Sequence, residues 1–315
     1  SGNTALDQEL RDLRQWAQIE WNPSGLVDIG ANLQTRFNAN EIQRQLTRAG
    51  AAGVRRVVLT GCDLKGSSKG REVVHRWMKR PDACLPNTTE ARKSNRADVD
   101  QSQSQHDVKT LNSDVSVSVV SEQIDLPRVY FTAGVHPHYA SSVWGEGGLR
   151  AGVLEQLEGL AKDELCVALG EAGLDYDRML SPREVQVAVF EAQVELASRL
   201  GRPLFTHIRE RGAEKGNPLG VYRDALEVLQ RYPGLRPEKV CVHCFTGNAE
   251  ELELLLQSGF CVGMTGYAGM QRRAEASGTL AALRGGGVAL HRLMIETDAP
   301  FMLPDAVWLP SGWKG

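Results

Sequence analysis

No apolar run in this 315-residue chain approaches the roughly 20 residues that a membrane-spanning helix needs. The start of the chain also lacks the apolar segment of a signal peptide, so an intracellular protein, cytoplasmic or nuclear, without a membrane partner is expected. A basic excess is missing too: 36 Lys and Arg face 39 Asp and Glu, for a net charge of -3. That balance excludes an overall basic nucleic-acid coat, though not a site that grips a few phosphates through a metal and an arginine. Cysteine is sparse for a disulfide framework, and Cys62, Cys84, Cys166, Cys241, Cys244 and Cys261 fall mostly inside apolar runs. Cys241-Val242-His243-Cys244 has no second such pair to complete a structural zinc site. There is no G-x-G-x-x-G after the first strand, no P-loop and no G-x-S-x-G serine elbow.

What is present is alternation. Leu6, Leu10, Leu13, Trp16 and Ile19 are spaced as a helix, ahead of a break at Asn22-Pro23-Ser24-Gly25. Residues 1–25 therefore read as a helical extension, and 26–315 as the main fold. Eight buried strands are predicted at 26–30, 54–60, 129–135, 165–169, 203–207, 240–243, 260–264 and 293–297. Helices are predicted between nearly all of them, at 40–52, 70–79, 149–162, 181–200 (with Ser181 as its cap), 219–231, 249–258 and 270–283. Strands alternating with helices in this number indicate a (β/α)8 barrel. Between strands two and three, residues 81–125 are rich in Ser, Asn, Asp and Gln and read as a flexible, disordered insertion. His106 in that insertion reads as a solvated histidine, and Val115–Val120 as a short edge strand. After strand eight the chain runs only to Gly315, with no room for a closing helix. The barrel is expected either to be incomplete at its C-terminus or to be covered there by the N-terminal helix.

The strand ends carry the chemistry. Strand four runs into Gly170-Glu171-Ala172-Gly173-Leu174-Asp175, where the glycines allow a sharp turn and set Glu171 at the strand tip. Strand one supplies Asp28 and Asn32, strand three His136 and His138, strand five His207 and Arg209, strand six His243, and strand eight Asp298. Four of the seven histidines fall at strand ends. Imidazoles and carboxylates converging on one barrel mouth form a divalent-metal site of the hydrolytic kind. Such a metal lowers the pKa of a water and polarises the scissile bond, while an arginine can clamp a phosphate oxygen.

Six ordered motifs resemble the TatD family of metal-dependent deoxyribonucleases, which are amidohydrolase-like barrels. They are Asp28-Ile29-Gly30-Ala31-Asn32-Leu33, Gly134-Val135-His136-Pro137-His138, Gly170-Glu171-Ala172-Gly173-Leu174-Asp175-Tyr176, Thr206-His207-Ile208-Arg209, Val242-His243-Cys244-Phe245-Thr246-Gly247 and Ile295-Glu296-Thr297-Asp298-Ala299-Pro300. The resemblance implies phosphodiester hydrolysis from the 3′ end of a DNA (or RNA) substrate. It implies one or two divalent ions, magnesium first and manganese or zinc as alternatives, with no obligate protein partner. By motif match Glu171, His207, His243 and Asp298 are the metal residues, with Asp298 and Glu171 catalytic and Asp298 the base acting on water. His136, His138 and Arg209 contact the substrate phosphate, while Asp28, Asn32 and Asp175 stand behind them and fix histidine tautomers or turn geometry. Many family members carry His-x-His at the end of strand one, where this chain has Gly30 and Asn32. Family members also usually continue into an Arg-Asn-Glu-Pro-like loop and terminal helices. The alternatives are an amidohydrolase-type enzyme acting on ester or C–N bonds, including aminoacyl-tRNA, and a non-catalytic barrel.

Overall fold

β-Branched and leucine-rich runs too short for helices build the centre of the molecule, as expected for strands covered on both faces. The computed structural model describes residues 25–80, 125–210, 220–284 and 289–309. The predicted N-terminal helix and the insertion at 81–124, with its edge strand and His106, lie outside the described residues. Strands β1 (Leu26–Ala31), β2 (Val54–Leu59), β3 (Arg128–Ala133), β4 (Cys166–Asp175), β5 (Leu204–Arg209), β6 (Val240–Val242), β7 (Cys261–Met264) and β8 (Leu293–Ile295) pair in chain order, every neighbour parallel. β8 returns to β1 through a single parallel bridge, Ala31 to Ala299. Two backbone bonds reinforce it: Asn32 N donates to Ala299 O at 2.7 Å, and Asp298 N to Gly30 O at 2.8 Å. The sheet is an eight-stranded barrel with one lightly bonded seam.

Alternation along the strands separates two cores. Leu169, Leu204, Val240 and Val262 point outward into the main core against the helices. Ala168, Phe205, Cys241 and Cys261 point inward and, with Ile29 and Met294, fill the barrel beneath its mouth. Cys241 is thus interior packing, and all the described cysteines are free thiols.

Beyond a single helical turn at Leu33–Arg36, the described α-helices are α1 (Ala39–Ala51), α2 (Leu64–Met78), α3 (Val153–Ala161), α4 (Arg183–Leu200), α5 (Gly220–Gln230), α6 (Ala249–Gln257), α7 (Gln271–Ala276) and α8 (Thr279–Arg284). Several depart from the sequence reading. α2 starts six residues early because Asp63 caps it, accepting from Gly66 N at 2.5 Å. α3 starts late, after Gly152 in the left-handed region (φ +83°). Ser181 does not cap α4; its Oγ accepts from Ser141 N at 3.1 Å instead. The single helix expected at 270–283 is divided into α7 and α8, with left-handed Gly278 (φ +78°) between them. Strand four is also longer than expected, since pairing with β5 continues through Gly173–His207 and Asp175–Arg209. Glu171 therefore sits within β4, not at its tip, and His207 lies inside β5. No described helix is long and apolar enough to cross a membrane.

Candidate active site

Glycine makes the middle of β4 possible. A Cβ on Gly173 (φ +149°) would lie 1.9 Å from the carbonyl oxygen of His207, and one on Gly170 (φ +131°) 2.1 Å from that of Phe205. Only bare backbone fits so close to β5. The register places Glu171 at the centre of the mouth, buried, with its amide donating to Gly61 O at 2.7 Å.

Three imidazoles converge on one oxygen of that carboxylate. Glu171 Oε1 lies 2.6 Å from His243 Nε2, 3.1 Å from His207 Nδ1 and 3.3 Å from His136 Nε2. The other oxygen accepts from Cys62 Sγ at 3.3 Å. Burial alone would raise the Glu171 pKa, but His136 and His243 overcome it and hold the carboxyl well below its ordinary range. Burial likewise opposes protonation of His243, yet Glu171 and Glu296 hold its pKa well above the usual value.

The far side of each ring fixes its tautomer. His136 Nδ1 accepts from His138 N at 3.0 Å, so Nε2 carries the hydrogen. Burial lowers its pKa to about 4, leaving a neutral N–H donor. His207 turns Nε2 toward Asp175 Oδ2 at 3.4 Å, and His243 turns Nδ1 toward Glu296 Oε2 at 3.4 Å. A carboxylate behind each ring favours keeping a hydrogen on that side, so a cation that displaced the proton shared between His243 and Glu171 would meet the lone pair of the nitrogen facing the mouth.

Asp175, fully buried, ties the next ring of side chains together. Its Oδ2 lies 2.5 Å from both His138 Nε2 and Arg209 Nη2, and its Oδ1 accepts from the amides of Asp177 and Arg178. Burial opposes ionisation, but His138, His207 and Arg209 together hold the carboxyl far below its usual range. Asp298 follows β8 in the left-handed region (φ +53°) and accepts from Asn32 Nδ2 at 2.7 Å. Burial, with Glu171 and Glu296 nearby, raises its pKa to about 7 despite His243. Asp28 touches no histidine. It accepts from Thr297 N and Oγ1 at 2.9 and 2.7 Å and from Gly30 N at 3.2 Å, which makes it a clasp between β1 and the turn after β8.

Nine of the ten singled-out residues gather at or just behind the mouth, and the tenth, Asp28, acts at the seam. Asn32, Glu171, His136, His138, His207, Arg209, His243 and Asp298 line one cavity of about 590 Å³. The sequence reading missed Glu296, which it placed within strand eight and gave no role. Its carboxylate is buried, accepts from Cys244 N at 2.5 Å, and fills the space beside two glycines. A Cβ on Gly30 would come within 2.4 Å of Oε2, and one on Gly263 within 2.6 Å of Oε1. No side chain fits at position 30 while Glu296 sits there, which accounts for glycine at the place of a strand-one histidine. A carboxylate in an apolar run was the available signal.

The donor set fits a divalent cation. His136, Glu171 and His207 offer nitrogen or oxygen atoms all within 4.8 Å of one another. The nitrogens that face the mouth, His207 Nδ1 and His243 Nε2, crowd the same carboxylate oxygen at 3.1 and 2.6 Å. Lone pairs of two imidazoles and a carboxylate oxygen facing one another repel unless a proton or a cation lies between them. That set contains His136 and not His243; because the His136 nitrogen facing Glu171 carries a hydrogen, His136 is suited to donate to an anion, and His207 with His243, whose Nε2 is 2.6 Å from Glu171 Oε1, is suited to ligate.

With that geometry in view, the comparisons are specific. The family model for TatD related DNase matches residues 27–310. The 3'-5' ssDNA/RNA exonuclease TatD of Erwinia billingiae is 31% identical over 279 residues, 89% of this chain and 80% of that protein. The protein of the same name from Pantoea ananatis is also 31% identical over 279 residues, covering 89% of this chain and 81% of its own length. Among solved structures, the Escherichia coli TatD homolog YJJV superposes with a TM-score of 0.61 at 19% identity, over 89% of this chain and 82% of that one. A TatD family hydrolase from Entamoeba histolytica gives 0.59 at 20% identity, over 89% and 76% of the two chains. These two structures share the fold.

Proposed function

The chain belongs to the TatD related DNase family, and from that premise we propose that it is a divalent-metal-dependent phosphodiesterase trimming single-stranded DNA or RNA from the 3′ end. The observation that carries the reading is the buried Glu171 carboxylate ringed by His136, His207 and His243 at 2.6–3.3 Å. Glu171, His207, His243 and Asp298 would hold the ion, magnesium in the first instance. When bound it lowers the pKa of a water and neutralises charge on the phosphate.

The remaining work falls to this chain's own groups. Asp298, held by Asn32 and with a pKa near neutrality, takes the proton of the attacking water at a carboxylate oxygen. His136 offers its Nε2–H to a non-bridging phosphate oxygen. Arg209, braced by Asp175 and with a buried Nε that has no hydrogen-bond partner among the described residues, presents a second donor. Asp175 and Glu296 orient His207 and His243 from behind and are positioning residues.

Hydrolysis of a 3′-labelled single strand, with and without magnesium, tests the reading. Glu171→Gln should abolish calorimetric binding of the ion, and Asp298→Ala should lower kcat by at least about a hundredfold. Arg209→Ala should act mainly on KM. Near-normal turnover by Asp298→Ala, or cleavage confined to amides, would refute it.

A further inference from the structure

We propose that Arg36, Lys65, Lys69 and Phe301 form a subsite for the nucleotide on the 5′ side of the scissile phosphate, a subsite that selects single strands. The proposal rests on the nuclease reading above for the identity of the ligand, and on separate residues for its geometry.

All four residues are exposed and line the same cavity as Glu171 and Asp298. In a chain of net charge -3, three cations lie along one rim, and none has a carboxylate partner among the described residues. Lys65 and Lys69 are four residues apart on α2, so they project from one face of the helix. Lys65 belongs to its first turn, where the helix dipole also favours an anion. Unneutralised lysines there are suited to successive phosphates of a strand leaving the mouth.

The aromatic partner stands beside them. The Phe301 ring is 42% exposed, and the Arg36 guanidinium lies 4.9 Å from its centroid. A planar cation packed on an exposed ring is a surface on which a base stacks, without preference among the four bases. Phe301 is also tied to the reacting group: its amide donates to Asp298 O at 2.9 Å, closing the turn that carries both residues. A base stacked on Phe301 is therefore placed relative to the Asp298 carboxylate. Bases paired inside a duplex cannot present a free face to that ring, so the arrangement selects single strands.

The direction follows from chemistry at a 3′ end. There the departing nucleotide occupies the imidazole-lined interior, and the rest of the strand, with all its remaining phosphates, must leave over the open rim. Arg36, Lys65 and Lys69 are the cations of that rim on the β1 and β2 side.

The test measures anisotropy of a fluorescein-labelled oligothymidylate and of a duplex of equal length, in chelator, across a salt series. Alongside, kcat/KM is measured with magnesium on the oligothymidylate and on a thymidine dinucleotide. Lys65→Ala/Lys69→Ala should weaken single-strand binding about tenfold and reduce the slope of log K against log salt by about 1.4, or about 0.7 per phosphate lost. Phe301→Ala should weaken it by about tenfold with the slope retained. Both variants should lose more on the oligothymidylate than on the dinucleotide. Should the double lysine variant fold poorly, Lys65→Gln/Lys69→Gln serves in its place. An unchanged slope in the lysine variant, or equal losses on duplex and single strand, overturns the subsite. Wild-type protein that binds with this slope but cleaves nothing overturns the nuclease reading alone, while brisk cleavage with an unchanged slope in the lysine variant overturns the subsite alone.

Discussion

Glu296 shows how much one carboxylate can determine from behind a site. It stands 3.4 Å from His243 Nδ1 and accepts the Cys244 amide, so it sets both the tautomer and the height of the imidazole above β6. Glu296→Gln keeps the volume but removes the charge that holds the Nδ1 hydrogen. Calorimetric affinity for magnesium or manganese should fall roughly 10–100-fold, with Glu296→Asp recovering less than the wild type. Unchanged affinity in Glu296→Gln would refute the positioning role. The acidic and imidazole groups on the strand ends were legible in the sequence because chemistry-bearing residues are conspicuous beside apolar runs. Glu296 was not, because it falls inside the run read as strand eight and not at its end. Its role depends on glycines at 30 and 263, on two other strands, that leave space for it.

At the scale of elements, α4 reaches into the site with two glutamines one face apart. Gln193 accepts from Val135 N at 2.8 Å and donates to Val135 O at 3.0 Å, fixing the residue before His136. Gln186 accepts from Asp175 N at 2.8 Å and donates to Ser181 O at 2.7 Å. Gln193→Leu leaves both backbone groups of Val135 buried without partners. The expected cost is about 1–3 kcal/mol of stability in urea unfolding, with a lower kcat because His136 loses its seat. A fully stable variant would show that the two bonds are replaced by water. The strands were recovered well from the sequence because buried parallel strands are continuous apolar runs. Helix starts were recovered less well. The cap of α2 is Asp63, which starts the helix at Leu64, six residues ahead of the start the periodicity indicates, and Ser181 is diverted to the Ser141 amide. β4 was read six residues short of its observed end because glycines that end most strands here permit close contact with β5.

At the scale of the whole molecule, burial raises the pKa of Asp28 to about 6 against the bonds it accepts. A carboxyl that binds its proton more tightly folded than unfolded makes folding most favourable below about pH 4. That contribution is lost as pH rises through about 6 and stays constant above it, a swing of about 3 kcal/mol. Asp28→Asn cannot titrate, and its amide can still meet Thr297. The stability of the wild type relative to this variant should therefore decline between about pH 4 and 6, as read by paired denaturant curves. A difference constant with pH would refute this account of Asp28. Ion binding across the mouth should raise Tm with the logarithm of its concentration once that exceeds Kd, and Glu171→Gln should abolish the rise.

The clasp has a further consequence. Seven of the eight strand junctions are ladders, whereas β8 meets β1 through one bridge, two backbone bonds and the Asp28–Thr297 pair. Amide protons of Asn32 and Asp298, which close that junction, should exchange with deuterium sooner than those of β3 or β4, since opening there disturbs the fewest bonds. Asp298 belongs to that junction and Glu171 to the opposite wall, so an ion that both residues held would fasten the barrel where it parts most easily. Deuterium uptake at residues 28–32 and 296–300 then becomes a gauge of occupancy that needs no substrate.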